Sequence, residues 1–355
     1  TATPPLAMQP EGSTVSTGYF GYTIPPASSV PVGRFVPWDF NLFSGTVTPA
    51  CGGFSYMSQP FGVKMRLQAR NKQGGVTLNY RDAFARGLVY LVGADNKDGI
   101  DRTDRIGSLA TNWQAGEVIF DGSSRFARLA ERTPSLTTPE EPFFKLRFGL
   151  RVIDGENPSI TTLTGMNMNT GVSGDCQVGV TCNAKQLSIP AVIDDTMVAY
   201  YGRVLAGTDR GAASEPLSLS LLMQYYQNGA WSRNEADVCS TLSLANDGVL
   251  FTDDTQHYDV ASGDLVLGTT ARIRVGLGAP SPGAVVGKAD KGELLFHFAA
   301  PQFAVRVPYS IVLEKQPQQP RWLADPGNPN SLLGEAIFGS SRGNDRIIYR
   351  REVMH

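Results

Sequence analysis

Phe144-Lys145-Leu146-Arg147-Phe148-Gly149-Leu150-Arg151-Val152 alternates apolar and polar side chains, with Phe144, Leu146, Phe148 and Leu150 opposed to Lys145, Arg147 and Arg151. Successive side chains of a strand point to opposite faces, so this spacing predicts a half-exposed antiparallel strand; a helix would waste the pattern. Upstream, Gly62-Val63-Lys64-Met65-Arg66-Leu67-Gln68-Ala69 follows the same rule, with Lys64, Arg66 and Gln68 toward water. Gly87-Leu88-Val89-Tyr90-Leu91-Val92 and Glu117-Val118-Ile119-Phe120 read as more buried strands. Only Tyr80 to Arg86 has fair helical composition, and it is too short to hold a helix by itself.

Composition extends this reading to the whole chain. Of 355 residues, 41% are hydrophobic and 18% charged, and 38 Gly with 23 Pro supply turns for many short strands. A single core usually stops growing near this length, so two domains are expected. Pro4, Pro5, Pro10, Pro25, Pro26 and Pro31 make residues 1–33 an extended arm, to which Tyr19-Phe20-Gly21-Tyr22 adds one edge strand. Val198 to Val204 precedes a Gly-, Thr-, Asp- and Ser-rich passage through Ser214, and Leu217 to Tyr226 resumes a strand pattern. The expectation is an all-β chain of two antiparallel β-sandwich domains, Ig-like or jelly-roll-like, with the first spanning 34–204 and the second 205–355. The second would contain Leu219 to Leu221, Ala271 to Val275, Leu294 to Phe298 and Val305 to Val307, closed by Ile347-Ile348-Tyr349.

The formal net charge of −2 provides no basic field for nucleic acid or anionic lipid. No stretch approaches the roughly 20 apolar residues needed to span a bilayer. Thr1-Ala2-Thr3 is not the start of a signal peptide, so the expectation is a chain whose leader has been removed, or a fragment. Four cysteines allow three pairings; the short spacing of Cys176 and Cys182 favours a local bridge, leaving Cys51 and Cys239 to join distant segments. Disulfides of this kind belong to exported chains.

Catalytic chemistry is sparse. His257, His297 and His355 each lie apart from Cys and from one another, and no nucleophile elbow is present, so no catalytic residue is assigned and an enzyme is not expected. The acidic segment around Gly99 offers Asp95, Asn96, Asp98 and Asp101 as oxygen donors for Ca²⁺, set against a plain solvated turn; no other cofactor is indicated. Trp231, within Asn228-Gly229-Ala230-Trp231-Ser232-Arg233-Asn234, is the aromatic best suited to an exposed ligand platform, weighed against a ring that covers the end of a core.

The terminal block Phe338-Gly339-Ser340-Ser341-Arg342-Gly343-Asn344-Asp345-Arg346-Ile347-Ile348-Tyr349-Arg350-Arg351-Glu352, shortly after Trp322-Leu323, carries a resemblance. So do Arg34-Phe35-Val36-Pro37, the run from Cys51 to Phe61, and Ala69-Arg70-Asn71 leading to Thr77-Leu78-Asn79-Tyr80. Together they resemble the C-terminal region of MshQ-type proteins, which are associated with the mannose-sensitive haemagglutinin pilus, a type IV pilus. The chain departs from that pattern at Arg350, where the family usually has an aromatic residue. The resemblance implies a non-enzymatic extracellular protein of a pilus or related surface filament, acting in assembly, tip display or adhesion. Its partners would be filament subunits, itself included, with Arg346, Arg350 and Arg351 available for such contacts. The alternative is a carbohydrate-binding module or glycan-active hydrolase that uses sandwich loops to reach surface glycans. An assembly module should show an exposed strand edge or apolar patch, and a sugar binder should show grouped aromatic residues.

Overall fold

The computed structural model describes residues 36–95, 99–154, 163–171, 176, 182–190, 192–278 and 283–339. From Trp38 onward they belong to one compact unit with two main hydrophobic cores. Nine strands build the first sandwich: β1 Asp39–Thr48, β2 Phe54–Tyr56, β3 Pro60–Arg70, β4 Gly87–Asp95, β5 Ile100–Asp101, β6 Glu117–Arg125, β7 Phe143–Asp154, β8 Lys185–Gln186 and β9 Met197–Tyr200. One sheet has the order β1-β3-β6; the other has β2-β9-β7-β4-β5, with β8 beside β7. Between them lie Phe61, Val63, Leu67 and Val118 from the first sheet and Leu146, Phe148, Leu150 and Met197 from the second, all at most 1% exposed. Thus the alternation in β3 and β7 becomes the facing layers of a core.

Strand β7 departs from the simple alternation at its start. A register shift lies between Phe143, opposite Ala199, and Leu146, opposite Met197. The bulge turns Phe143 toward Phe126, with ring centroids 5.1 Å apart, and leaves Phe144 44% exposed. An inserted residue reverses the pleat, which is why the period-two reading assigned Phe144 to the wrong face. The helical expectation at Tyr80 to Arg86 is met only by a 3₁₀ turn, Asp82–Phe84.

The second sandwich contains β10 Gly202–Leu205, β11 Thr208–Gly211, β12 Leu217–Gln227, β13 Ala230–Arg233, β14 Thr241–Ser243, β15 Val249–Phe251, β16 Gln256–Asp259, β17 Asp264–Leu267, β18 Ala271–Leu277, β19 Val286–Lys288, β20 Glu293–Phe298, β21 Val305–Ile311 and β22 Leu333–Phe338. Its larger sheet runs β10-β12-β20-β18-β17-β16 with β13 on β12, and its smaller one β11-β22-β21-β15; β14 and β19 pair separately. Most pairings are antiparallel, while β2–β9 and β11–β22 are short parallel exceptions.

The expected strand from Val198 to Val204 is two strands in different sheets, separated by buried Tyr201. Gly202 permits the change: a Cβ there would stand 2.3 Å from the Tyr56 ring. Residues 1–33, with the expected edge strand near Tyr19, and the expected closing strand Ile347-Ile348-Tyr349 lie outside the described residues.

Candidate functional site at the junction of the sandwiches

Strand β2 belongs by hydrogen bonding to the first sandwich, but its side chains enter the second core. Gly52, at φ +62°, allows the tight reversal that pairs Cys51 with Phe54. Cys51, Phe54 and Tyr56 then pack among the Leu-rich face of β12 and its neighbours. A disulfide joins Cys51 to Cys239 with Cα atoms 5.7 Å apart, across a sequence separation of 188.

Beside this bridge, Asp237 is fully buried and its carboxylate is closely satisfied. Oδ2 accepts hydrogen bonds from Tyr56 Oη at 2.8 Å and Ser240 Oγ at 2.7 Å. Oδ1 accepts from the backbone N–H groups of Cys239 at 3.0 Å and Ser240 at 2.9 Å. Asn234 Nδ2 donates to the Tyr56 hydroxyl oxygen at 2.9 Å, extending the network. Burial, reinforced by the nearby Asp237 carboxylate, pushes the Tyr56 pKa well above the ordinary phenol value, so the hydroxyl stays protonated and donates. Cys51, Asp237 and Cys239 cluster closely enough to suggest a metal centre, but both sulfurs are spent in the disulfide and offer no thiolate.

Arg128 provides a second tie. It follows β6, is 3% exposed, and donates from Nη1 to the Ala324 carbonyl at 2.6 Å and from Nη2 to the carbonyls of Gly202 and Trp322. Its guanidinium lies 4.0 Å from the Tyr201 ring centroid. Burial lowers its pKa from the ordinary value, though a guanidinium remains charged. No carboxylate forms an ion pair with it among the described residues, so three carbonyl dipoles and an aromatic face hold a buried cation.

That cation borders a cleft of about 660 Å³ between the sandwiches. Ser58 and Pro60 form one wall, the segment from Arg125 to Glu131 a second, and the segment from Gln318 to Pro326 the third. Its ionisable lining is three arginines, Arg125, Arg128 and Arg321, against Glu131, which lies 3.5 Å from Arg125. The Nε–H of Arg128 and the indole N–H of Trp322 are buried without a hydrogen-bond partner.

Other residues singled out in the sequence have different surroundings. Asp95 is buried at the end of β4. Asp101 accepts from the Thr103 N–H at 2.8 Å and from Thr170 Oγ1 at 2.7 Å. Burial raises the Asp101 pKa, but these hydrogen bonds outweigh it and hold the carboxyl below its usual value. Asn96 and Asp98, the other proposed Ca²⁺ donors, lie outside the described residues, as do Arg346, Arg350 and Arg351. Trp231 is half-buried against the first core; the Arg203 guanidinium lies 4.1 Å from its centroid and Tyr226 packs on it at 5.5 Å. His297 is 6% exposed, with Nδ1 bonded to Ser218 Oγ at 2.7 Å and Nε2 to the Gly278 carbonyl at 2.8 Å. Cys176 pairs with Cys182.

The junction thus gathers Cys51, Cys239 and Trp231 from the sequence-based candidates. It adds Tyr56, Arg128, Asp237, Trp322 and the cleft arginines, which that reading missed. Asp237-Val238-Cys239-Ser240 has the character of a side-chain-capped turn, and its position two residues before a cysteine was a usable signal. Arg128 sits in no recognisable spacing pattern.

Fold and junction define a tandem of disulfide-bonded β-sandwiches whose cores are stitched by side chains of both. The chain belongs to the DUF6701 family: the third domain of DUF6701 matches residues 6–183 and the fourth matches residues 200–353. No curated protein matches it significantly. Among solved structures, the Yersinia pseudotuberculosis adhesin InvE is similar at 12% identity and TM-score 0.23, covering 76% of this chain; the chain spans 56% of that adhesin's length. The D00-D0 domain of intimin is similar at 10% identity and TM-score 0.22, over 83% of this chain and 98% of that one. A chimeric titin Z1Z2-Z1Z2 tandem is similar at 7% identity and TM-score 0.18, over 84% and 97%.

Proposed function

We propose that this chain is a non-enzymatic, exported β-domain protein of a type IV pilus or related surface filament, serving assembly, tip display or adhesion. The observation that carries the reading is strand β6, a nine-residue strand whose only strand partner among the described residues is β3. Glu117 exchanges backbone hydrogen bonds with Gln114, and the Arg125 carbonyl accepts from the Gly107 N–H, so the strand is engaged at both ends; between them its other edge offers backbone donors and acceptors to an incoming strand. Next to that edge, Ile119 is 72% exposed, and across the same sheet Phe43 is 61% exposed beneath the Arg66 guanidinium. A strand from a neighbouring subunit can pair along the stretch between those ends, residues 118–124, and place an apolar side chain beside Ile119.

The resemblance of the terminal block to MshQ-type proteins supports the filament context, and the pairing of all four cysteines favours an oxidising compartment. In this scheme residues 1–33 of one copy, with Tyr19 to Thr23 at their centre, supply the strand received by the next. Deleting residues 1–33 should then abolish self-association and leave the melting transition of the remainder in place. Unchanged association would remove the arm from the scheme. Unreduced mass spectrometry of filaments sheared from the producing cells should recover the chain with both disulfides intact; its absence from that fraction would sink the filament assignment.

A further inference from the structure

We propose that the strand best matched to the β6 edge is the terminal block of a second copy, with Asn344-Asp345-Arg346-Ile347-Ile348 laid antiparallel along residues 119–123. The inference rests on β6 being a docking edge, and it names a rival to the arm of residues 1–33 as the strand received there. With Glu117 and Arg125 bonded on that side to Gln114 and Gly107, period two leaves Ile119, Asp121 and Ser123 to turn their N–H and C=O groups outward. The same alternation sorts the side chains. Glu117, Ile119 and Asp121 share the solvent face of the sheet with Gln68, Arg66 and Lys64 of β3, whereas Val118 and half-buried Phe120 lie on the core face.

An acid, an isoleucine and an acid at alternate positions are matched by a cation, an apolar residue and a cation. Arg346, Ile348 and Arg350 have that order at that spacing. In antiparallel register Ile348 stands opposite Ile119, Arg346 opposite Asp121 and Asn344 opposite Ser123, while Ile347 turns to the core face beside Phe120. Gln114 holds the backbone place opposite Glu117, so the ladder stops at Ile348 and Arg350 meets the Glu117 carboxylate from beyond its end. Both carboxylates have an oxygen to offer. Arg66 and Gln68 each donate to Oε1 of Glu117 at 2.7 Å, and Lys64 lies 3.0 Å from Oδ2 of Asp121, which leaves Glu117 Oε2 and Asp121 Oδ1 without a partner among the described residues. A parallel strand would exchange the two arginines, but antiparallel pairs are more stable per residue and continue the pattern of β1, β3 and β6. The arm is the poorer match: its only charged side chain is Glu11, so Tyr19 to Thr23 bring no cation to either carboxylate.

Sedimentation of the full chain and of charge-reversed variants tests the donor. The parent should associate, and Arg346→Glu with Arg350→Glu should weaken association at least about tenfold, as two attractive pairs become repulsive. Glu117→Arg with Asp121→Arg should do the same and keep the melting transition. Mixing the two double variants should restore association, because each then meets the opposite charge on its neighbour, a recovery that misfolding cannot produce. Association that survives Arg346→Glu with Arg350→Glu but is lost on deleting residues 1–33 would overturn the donor and leave the edge to the arm. Loss in both double variants without recovery on mixing would overturn the pairing. Association absent from the parent, or indifferent to every one of these changes, would overturn the edge and this inference together.

Discussion

Strands β2 and β6 both end a sheet of the first sandwich, and their surroundings could hardly differ more. The margin at β2 is covered by the second core: Phe54 and Tyr56 are 4% and 1% exposed, and a disulfide and the Asp237 network lie against them. The margin at β6 has no second strand among the described residues, and its Ile119 faces solvent. One sheet edge is therefore tied into the second core, and the middle of another is left without a strand partner among the described residues. An edge strand left uncovered invites pairing with another chain, so a protein that keeps one has a use for it or a device that limits it. Lys64 and Asp121, 3.0 Å apart and both 67% exposed, put charge beside this edge and restrict which strands can approach.

The covered margin should dominate stability, and the two disulfides test this most severely. Cross-linking across a sequence separation of 188 is worth about 5 kcal/mol in chain entropy, whereas the separation of 6 between Cys176 and Cys182 is worth about 2 kcal/mol. Replacing Cys51 and Cys239 together by Ser should thus lower the denaturation free energy by more than twice the loss from replacing the other pair. Comparable losses in urea titrations would mean that the seam is held by packing and hydrogen bonds rather than by the bridge.

Removing the acceptor at the centre of the seam should come next. Asp237→Ala strands the Tyr56 and Ser240 hydroxyls and two backbone N–H groups, at a cost of about 3 kcal/mol. Tyr56→Phe removes only one donor to that carboxylate and should cost about 1 kcal/mol. A double-mutant cycle measures their coupling; additive losses would show that the hydroxyl and the carboxylate do not act together.

The same pair gives the seam a pH signature. Because the folded-state pKa of Tyr56 lies above its unfolded value of about 10, the folded chain binds this proton more tightly. Its contribution is therefore complete below about pH 10 and is lost as pH rises above that value, not in acid. Tyr309, buried on β21 with its hydroxyl donating to the Gly207 carbonyl at 2.8 Å, shifts in the same direction through burial. Melting temperature should fall steeply on the alkaline side, and Tyr56→Phe should flatten that fall relative to the parent chain. Identical alkaline slopes would remove Tyr56 as a source of the effect.

Much of the sandwich was legible because period-two patterns in β3 and β7 were long and one-sided, and a core must receive whichever face is apolar. The bulge after Phe143 was illegible for the same reason: an extra residue changes the face without altering composition. The junction was harder still. Cys51 and Cys239 were visible as a long-range bridge, but nothing local to Asp237 records Tyr56, which lies 181 residues away in sequence. Arg128 reads as one more surface arginine until the carbonyls of Gly202, Trp322 and Ala324 are folded around it. Long-range polar networks leave little periodic trace, since each member needs a partner in space and not a spacing in sequence.

The open margin is best probed by a substitution that the fold itself should barely register. Ile119 is exposed opposite Arg66 on β3, so Ile119→Lys should alter stability by no more than about 0.5 kcal/mol, as expected for a surface change away from buried groups. It nevertheless places a second cation beside Arg66 and removes the apolar contact offered to an incoming strand. If the edge is the docking surface, sedimentation should show association weakened about tenfold with the melting transition unmoved. Seam substitutions such as Tyr56→Phe should show the reverse, losing stability while association of the folded fraction is kept. Should Ile119→Lys and the parent chain associate equally, β6 is an edge managed by the Lys64–Asp121 pair and by the backbone hydrogen bonds of Gln114 and Gly107 at its ends, and its exposure serves no assembly.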